Sequence, residues 1–168
     1  MTLARPSSLG LAFALALAAA CSSPAPQSPP VCAAYTSPSG LDLTQPLVRF
    51  RADVQPIFAQ SCAFSSCHGS RGGLGGGVYL GGAAAEAADV RAGLVSVSAP
   101  ELPQMALVKP GAPEASYLMR KLDGDACLLR ADCKDHDCGE AMPRTGDLLP
   151  IATRDVVRRW IAQGAKDD

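Results

Sequence analysis

Large side chains are scarce in this 168-residue chain: it has one Trp, three Tyr and four Phe. Beyond residue 46 the aromatics are Phe50, Phe58, Phe64, Tyr79, Tyr117 and Trp160, and much of the apolar remainder is alanine. A domain so poor in bulky groups must compensate, either with disulfides or with a large flat cofactor serving as core. Positive charge is not in excess either. Lys and Arg number 15 against 16 Asp and Glu, with no basic stripe, which excludes the electrostatic footprint of a nucleic-acid binder. No run alternates with period two and no segment repeats, which argues against a sheet protein or a solenoid. The glycine-dense stretch at 69–82 contains no G-x-x-x-x-G-K-[ST] and follows no strand, so it is not a phosphate loop. The longest apolar run, Leu9–Ala20, falls short of the roughly 20 residues of a membrane span.

That run has a different use. Arg5 precedes it, small residues end it and Cys21 follows, which is the layout of a secretory signal. The cysteine directly after the small residues resembles a bacterial lipobox. The resemblance implies a signal peptide over 1–20, a lipid on Cys21 and, with Ser22 next, an outer-membrane address. Residues 21–46 are rich in Pro and Ser and lack apolar periodicity, so they read as a semi-rigid tether. Some 25 residues at about 3.1 Å each would span roughly 75 Å. A disordered leader without a spacing role fits the same composition. One domain, 47–168, remains.

The chain has seven cysteines. With Cys21 lipidated, six stay in an oxidising compartment, where free thiols are uncommon. Cys32, Cys127, Cys133 and Cys138 are disulfide candidates. Cys127, Cys133 and Cys138 lie close enough in sequence for one local bridge, with Cys32 tied to the third. The "CKDHDC" stretch at 133–138 offers Cys133, His136 and Cys138 as zinc ligands, but bridging is the simpler fate in that compartment.

Cys62 and Cys67 stand apart from the others. They are separated by Ala63, Phe64, Ser65 and Ser66, and His68 follows directly. A structural disulfide has no need of that histidine, and a zinc site needs more ligands. Covalently attached haem needs this order of residues, though usually with a shorter gap.

The pattern elsewhere predicts short helices between long Gly/Pro loops. The first covers "FRADVQPIFAQSC", with Asp53 as N-cap, Pro56 in the first turn, and Val54, Ile57 and Phe58 on one face. An alanine-rich helix spans at least Ala83–Leu94, and another runs from about Pro113 to Leu122 with Gly124 after its end. The last is capped by Thr153, carries the stripe Val156, Val157, Trp160 and Ile161, and stops at Gly164. That stripe should pack on Val54, Ile57 and Phe58.

Three segments together carry a resemblance: "DVQPIFAQSCAFSSCHG", "LVKPGAPEASYLMRKL" and "AMPRTGDLLPIATRDVVRRWIAQGA". Over residues 48–166 the chain resembles the class I c-type cytochrome domains of bacterial lipoproteins. In that family a helix leads into Cys-x-x-Cys-His, and a Met-Pro loop precedes a final helix ending Trp-Ile-x-x-Gly-Ala. The resemblance implies a mostly α, cytochrome c-like small helical domain with its loops around one haem. It puts thioethers on Cys62 and Cys67, the proximal nitrogen on His68 and the distal sulfur on Met142, where Pro143 stiffens the loop. His/Met ligation suits electron transfer, since the thioether favours Fe(II). The family's usual gap is two residues; the four here occur in some multihaem cytochromes and require the extra residues to bulge. His136 is the competing sixth ligand, while Met105 and Met119 read as packing residues and Trp160 as core. The implied function is a membrane-tethered monohaem electron carrier, not an enzyme, serving redox partner proteins in the cell envelope. A peroxidase of the familiar bacterial kind would need a second attachment motif. The alternative is a haem-free, disulfide-stapled lipoprotein module that binds a ligand or partner.

Overall fold

The computed structural model describes Met1 and residues 32–72, 75–82, 85–144 and 146–167. The chain divides into two units, Met1–Pro30 and Val31–Asp168, and everything below concerns the second. Residues 2–31, which hold nearly all of the signal segment, Cys21 and the first part of the tether, lie outside the described residues.

Helices dominate. A π-helical turn at Phe50–Val54 runs into α1 (Gln55–Ser61), followed by α2 (Ala87–Ala92), α3 (Tyr117–Asp123) and α4 (Ile151–Ala162), with single 3₁₀ turns between. Among the described residues there is no sheet, only the isolated bridges Val95–Val108 and Ser98–Ala106. None of the described helices is long and apolar enough to cross a membrane.

The helix ends differ from expectation in instructive ways. Asp53 does not cap the first helix. It sits inside the π-helical turn, and its carboxylate accepts the Arg49 N–H at 2.7 Å, the reach-back half of a capping box. Thr153 does not cap α4 either. Pro150 is extended (φ −49°, ψ 143°), so the helix starts one residue later and takes Thr153 into its first turn. The expected helix from Pro113 breaks at Ser116, which is extended (φ −108°, ψ 120°). The Ser116 hydroxyl accepts the Lys109 N–H at 2.8 Å and donates to the Ala112 carbonyl at 2.9 Å. Serine here competes with the helix for backbone partners. Of the helix expected over Ala83–Leu94, Ala83 and Ala84 lie outside the described residues, and α2 itself covers Ala87–Ala92. The chain turns at Gly93, where the N–H groups of Leu94 and Val95 both bond to the Arg91 carbonyl. Two ends follow the sequence: Gly124 (φ +76°) closes α3 and Gly164 (φ +99°) follows α4, both left-handed positions that glycine fills without strain.

The core forms where α4 meets the first helical segment. Phe50 lies 5.0 Å from Trp160 and 6.3 Å from Phe58, ring centre to ring centre, and all three are fully buried. Val54, Val157 and Ile161 fill the space around them, while Ile57 and Val156 sit at the edge. With so few aromatics, three of them make one cluster.

Disulfides staple the remainder. Cys133 bridges Cys138 locally, and Cys32 bridges Cys127 across 95 positions. The second staple sets Tyr35 against the guanidinium groups of Arg154 and Arg158, 4.9 and 4.5 Å from its ring centre. Both arginines bind Asp123, buried at the C-terminal end of α3. This network ties α4 to α3.

Candidate functional site

Among the described residues two thiols stay free, Cys62 and Cys67. Their sequence separation equals that of the bridged pair Cys133–Cys138, so chain length does not prevent closure. The local backbone keeps them apart. The Cys62 and Ala63 N–H groups both bond to the Phe58 carbonyl as α1 ends. Phe64–Cys67 then forms a turn closed by the Cys67 N–H on the Phe64 carbonyl at 2.8 Å. The His68 N–H returns to the Cys62 carbonyl at 3.2 Å. The intervening residues bulge outward, with Phe64, Ser65, Ser66 and Cys67 exposed and Cys62 buried. Burial, reinforced by the neighbouring Cys67, pushes the Cys62 thiol up to about 11.

Beside this turn lies a cavity of about 510 Å³, within the roughly 300–1,000 Å³ of small-molecule and cofactor sites. Cys62, His68 and Met142 all line it, and Val78, Leu80, Leu107, Leu118 and Leu122 supply apolar wall. His68 is fixed at its far nitrogen: Nδ1 lies 3.0 Å from the Val78 carbonyl, which can only accept. The proton therefore sits on Nδ1 and the lone pair on Nε2, the arrangement of metal-binding histidines. Gly75 packs on the same ring, and a Cβ there would overlap Nδ1. The glycine-dense loop thus lets backbone approach the imidazole.

The structure brings Cys62, His68 and Met142 together but leaves Cys67 exposed and absent from the cavity wall. His136 does not line the cavity either. It lies on the exposed turn between Cys133 and Cys138. Those two sulfurs are bonded to each other, so the stretch has no thiolates for zinc. Met119 is buried in the core, as expected of a packing residue, and Met105 is half-buried against it.

The sequence reading missed the polar wall: Glu101, Tyr117, Lys121, Asp137, Glu140 and Arg144. Tyr117 and Lys121 are one helical turn apart on α3, a spacing that could have flagged them as one face. Both donate to the Cys138 carbonyl, at 2.7 and 2.8 Å. Burial lowers the Lys121 pKa, partly opposed by Glu101, Asp137 and Glu140, and raises that of Tyr117.

A nitrogen lone pair, a thioether and one thiol thus line one largely apolar cavity, while the second thiol of the pair lies off its wall. Comparison with family models, with curated proteins and with solved structures returns no match.

Proposed function

We propose that this chain is a monohaem electron carrier of the c-type cytochrome kind. Haem would be attached through Cys62 and Cys67, with His68 as proximal and Met142 as distal ligand. One observation carries the reading: Met142, remote in sequence, lines the same cavity as Cys62 and His68, while four other cysteines are bridged and the Cys-x₄-Cys-His pair is not. The haem, when bound, supplies the one-electron Fe(III)/Fe(II) couple. The chain's part is to present Nε2 of His68 by holding Nδ1 on Val78, to present the Met142 sulfur, and to exclude water with the leucine wall. A soft sulfur ligand raises the potential. The Cys21 lipid and the Pro/Ser tether would hold the domain at an envelope membrane, within reach of redox partner proteins.

A haem stain on a denaturing gel tests this, because thioether-bound haem stays with the chain. Met142→Ala should keep the haem but lower the potential, and His136→Ala should change neither. A second reading, a haem-free stapled binding module, is favoured by the exposure of Cys67 away from the cavity wall. An unstained chain from a host that attaches haem to control cytochromes decides for it.

A further inference from the structure

The Met142 strap is held in an unusual way. Its upstream end is Cys138, pinned by the bridge to Cys133. Gly139, Glu140 and Ala141 lead to Met142 with no backbone–backbone hydrogen bond of their own among the described residues. Both ends are tied to a single residue of α3. The Lys121 ammonium donates to the Cys138 carbonyl at 2.8 Å, and the Lys121 carbonyl accepts the Met142 N–H at 2.8 Å. Lys121 is only 8 % exposed. Its hydrogen-bond acceptor is a carbonyl, not a carboxylate, although Glu101, Asp137 and Glu140 stand around it. A buried ammonium is costly, and Met would fill similar volume without that cost. Gly139 admits it: its backbone is left-handed (φ +66°), and a Cβ there would stand 2.9 Å from Nζ.

We propose that Lys121 is a positioning residue, a two-ended clamp that sets the height of the Met142 sulfur over the cavity. Its role as a setter of iron ligation rests on the reading above, whereas the clamp itself belongs to the chain alone. Tyr117, the second donor to the Cys138 carbonyl, steadies the same point, and the Cys133–Cys138 staple presents that carbonyl to both.

The test compares wild type, Lys121→Met and Lys121→Arg by amide hydrogen exchange and, in chains carrying haem, by the sulfur–iron absorption band and the reduction potential. In haem-free chains, Lys121→Met should speed exchange of the Met142 amide by about tenfold, the loss of one charge-assisted hydrogen bond. Amides in α4 should stay as they are. Lys121→Arg, which keeps a charged donor, should recover most of the protection. In haem-loaded chains, Lys121→Met should weaken the sulfur–iron band and lower the potential, with the haem still attached. Unchanged Met142 exchange in Lys121→Met overturns the clamp. Should that variant not fold, Gly139→Ala crowds the ammonium without removing it; the clamp predicts faster Met142 exchange there too, and no change refutes it. A wild type without haem overturns the ligand role through the cytochrome reading, and the exchange arm still decides the clamp.

Discussion

Alkylation of the haem-free chain should separate Cys62 from Cys67. Burial and the adjacent Cys67 raise Cys62 from an ordinary 9.0 to about 11. At about pH 8 an ordinary thiol is roughly one-tenth thiolate, whereas Cys62 would be roughly one-thousandth, about a 100-fold loss of nucleophile. A more basic thiolate attacks faster, and a Brønsted slope of about 0.4–0.5 returns roughly tenfold over that interval. The chemistry alone therefore slows Cys62 by about tenfold. Access adds to this, since Cys62 is only 7 % exposed and Cys67 lies in the open. Iodoacetamide uptake followed by peptide mass should be biphasic, with the fast label on Cys67. Cys62 holds its proton more tightly in the fold than in the unfolded chain. Its contribution to stability is thus complete below about pH 9 and lost as pH rises through about 11, up to about 3 kcal/mol. Chemical melts across that range check the sign. Equal labelling rates, or a Cys62–Cys67 disulfide, would refute the account of the turn. In haem-loaded chains neither cysteine should label.

Gly75→Ala puts a methyl into the His68 ring, so it should destabilise by about 1–3 kcal/mol and release the Nδ1 contact to Val78, read by urea melts and imidazole NMR. Trp160→Ala removes the largest member of the aromatic cluster and should cost about 3–5 kcal/mol by the same melts, whether or not haem is present. Opening the long staple by replacing both Cys32 and Cys127 with Ser should cost up to about 4–5 kcal/mol by the chain-entropy argument, seen as a lower melting temperature.

Several features were legible in the sequence because they depend on local chemistry or strong periodicity. The α4 stripe found its partner in the first helix, since Trp160 and Ile161 had to be covered. Proximity gave one local bridge among Cys127, Cys133 and Cys138 with Cys32 tied to the third, but which pair closes locally, Cys133–Cys138, appears only in the fold. The helix starts were less legible. Asp53 and Thr153 are good capping types, but the backbone at Arg49 and Pro150 already began each helix. Ser116 broke a helix through contacts to Lys109 and Ala112 that only the folded loop creates. The polar wall was the least visible part. Glu101, Asp137 and Glu140 meet Lys121 through loops whose paths carry no period, so nothing in their spacing announces a shared cavity. Cys67 belongs with these, because the orientation of a turn residue depends on how the bulge closes.

The Cys32–Cys127 bond also has a mechanical meaning. A pull on the N-terminal end travels down the chain only as far as Cys32, then passes through sulfur to Cys127. The 95 positions between them, roughly 330 Å of contour at about 3.5 Å per residue, are bypassed by the load. Cys62, His68 and the whole of α1–α3 lie inside that shielded loop, whereas Met142 and α4 lie on the loaded side. Stretching from the two ends would therefore strip the Met142 segment and α4 first, while the disulfide kept the His68 side closed as a loop. In a force experiment the first rupture should release only the short C-terminal stretch, and the longer extension should appear only after the disulfide is reduced.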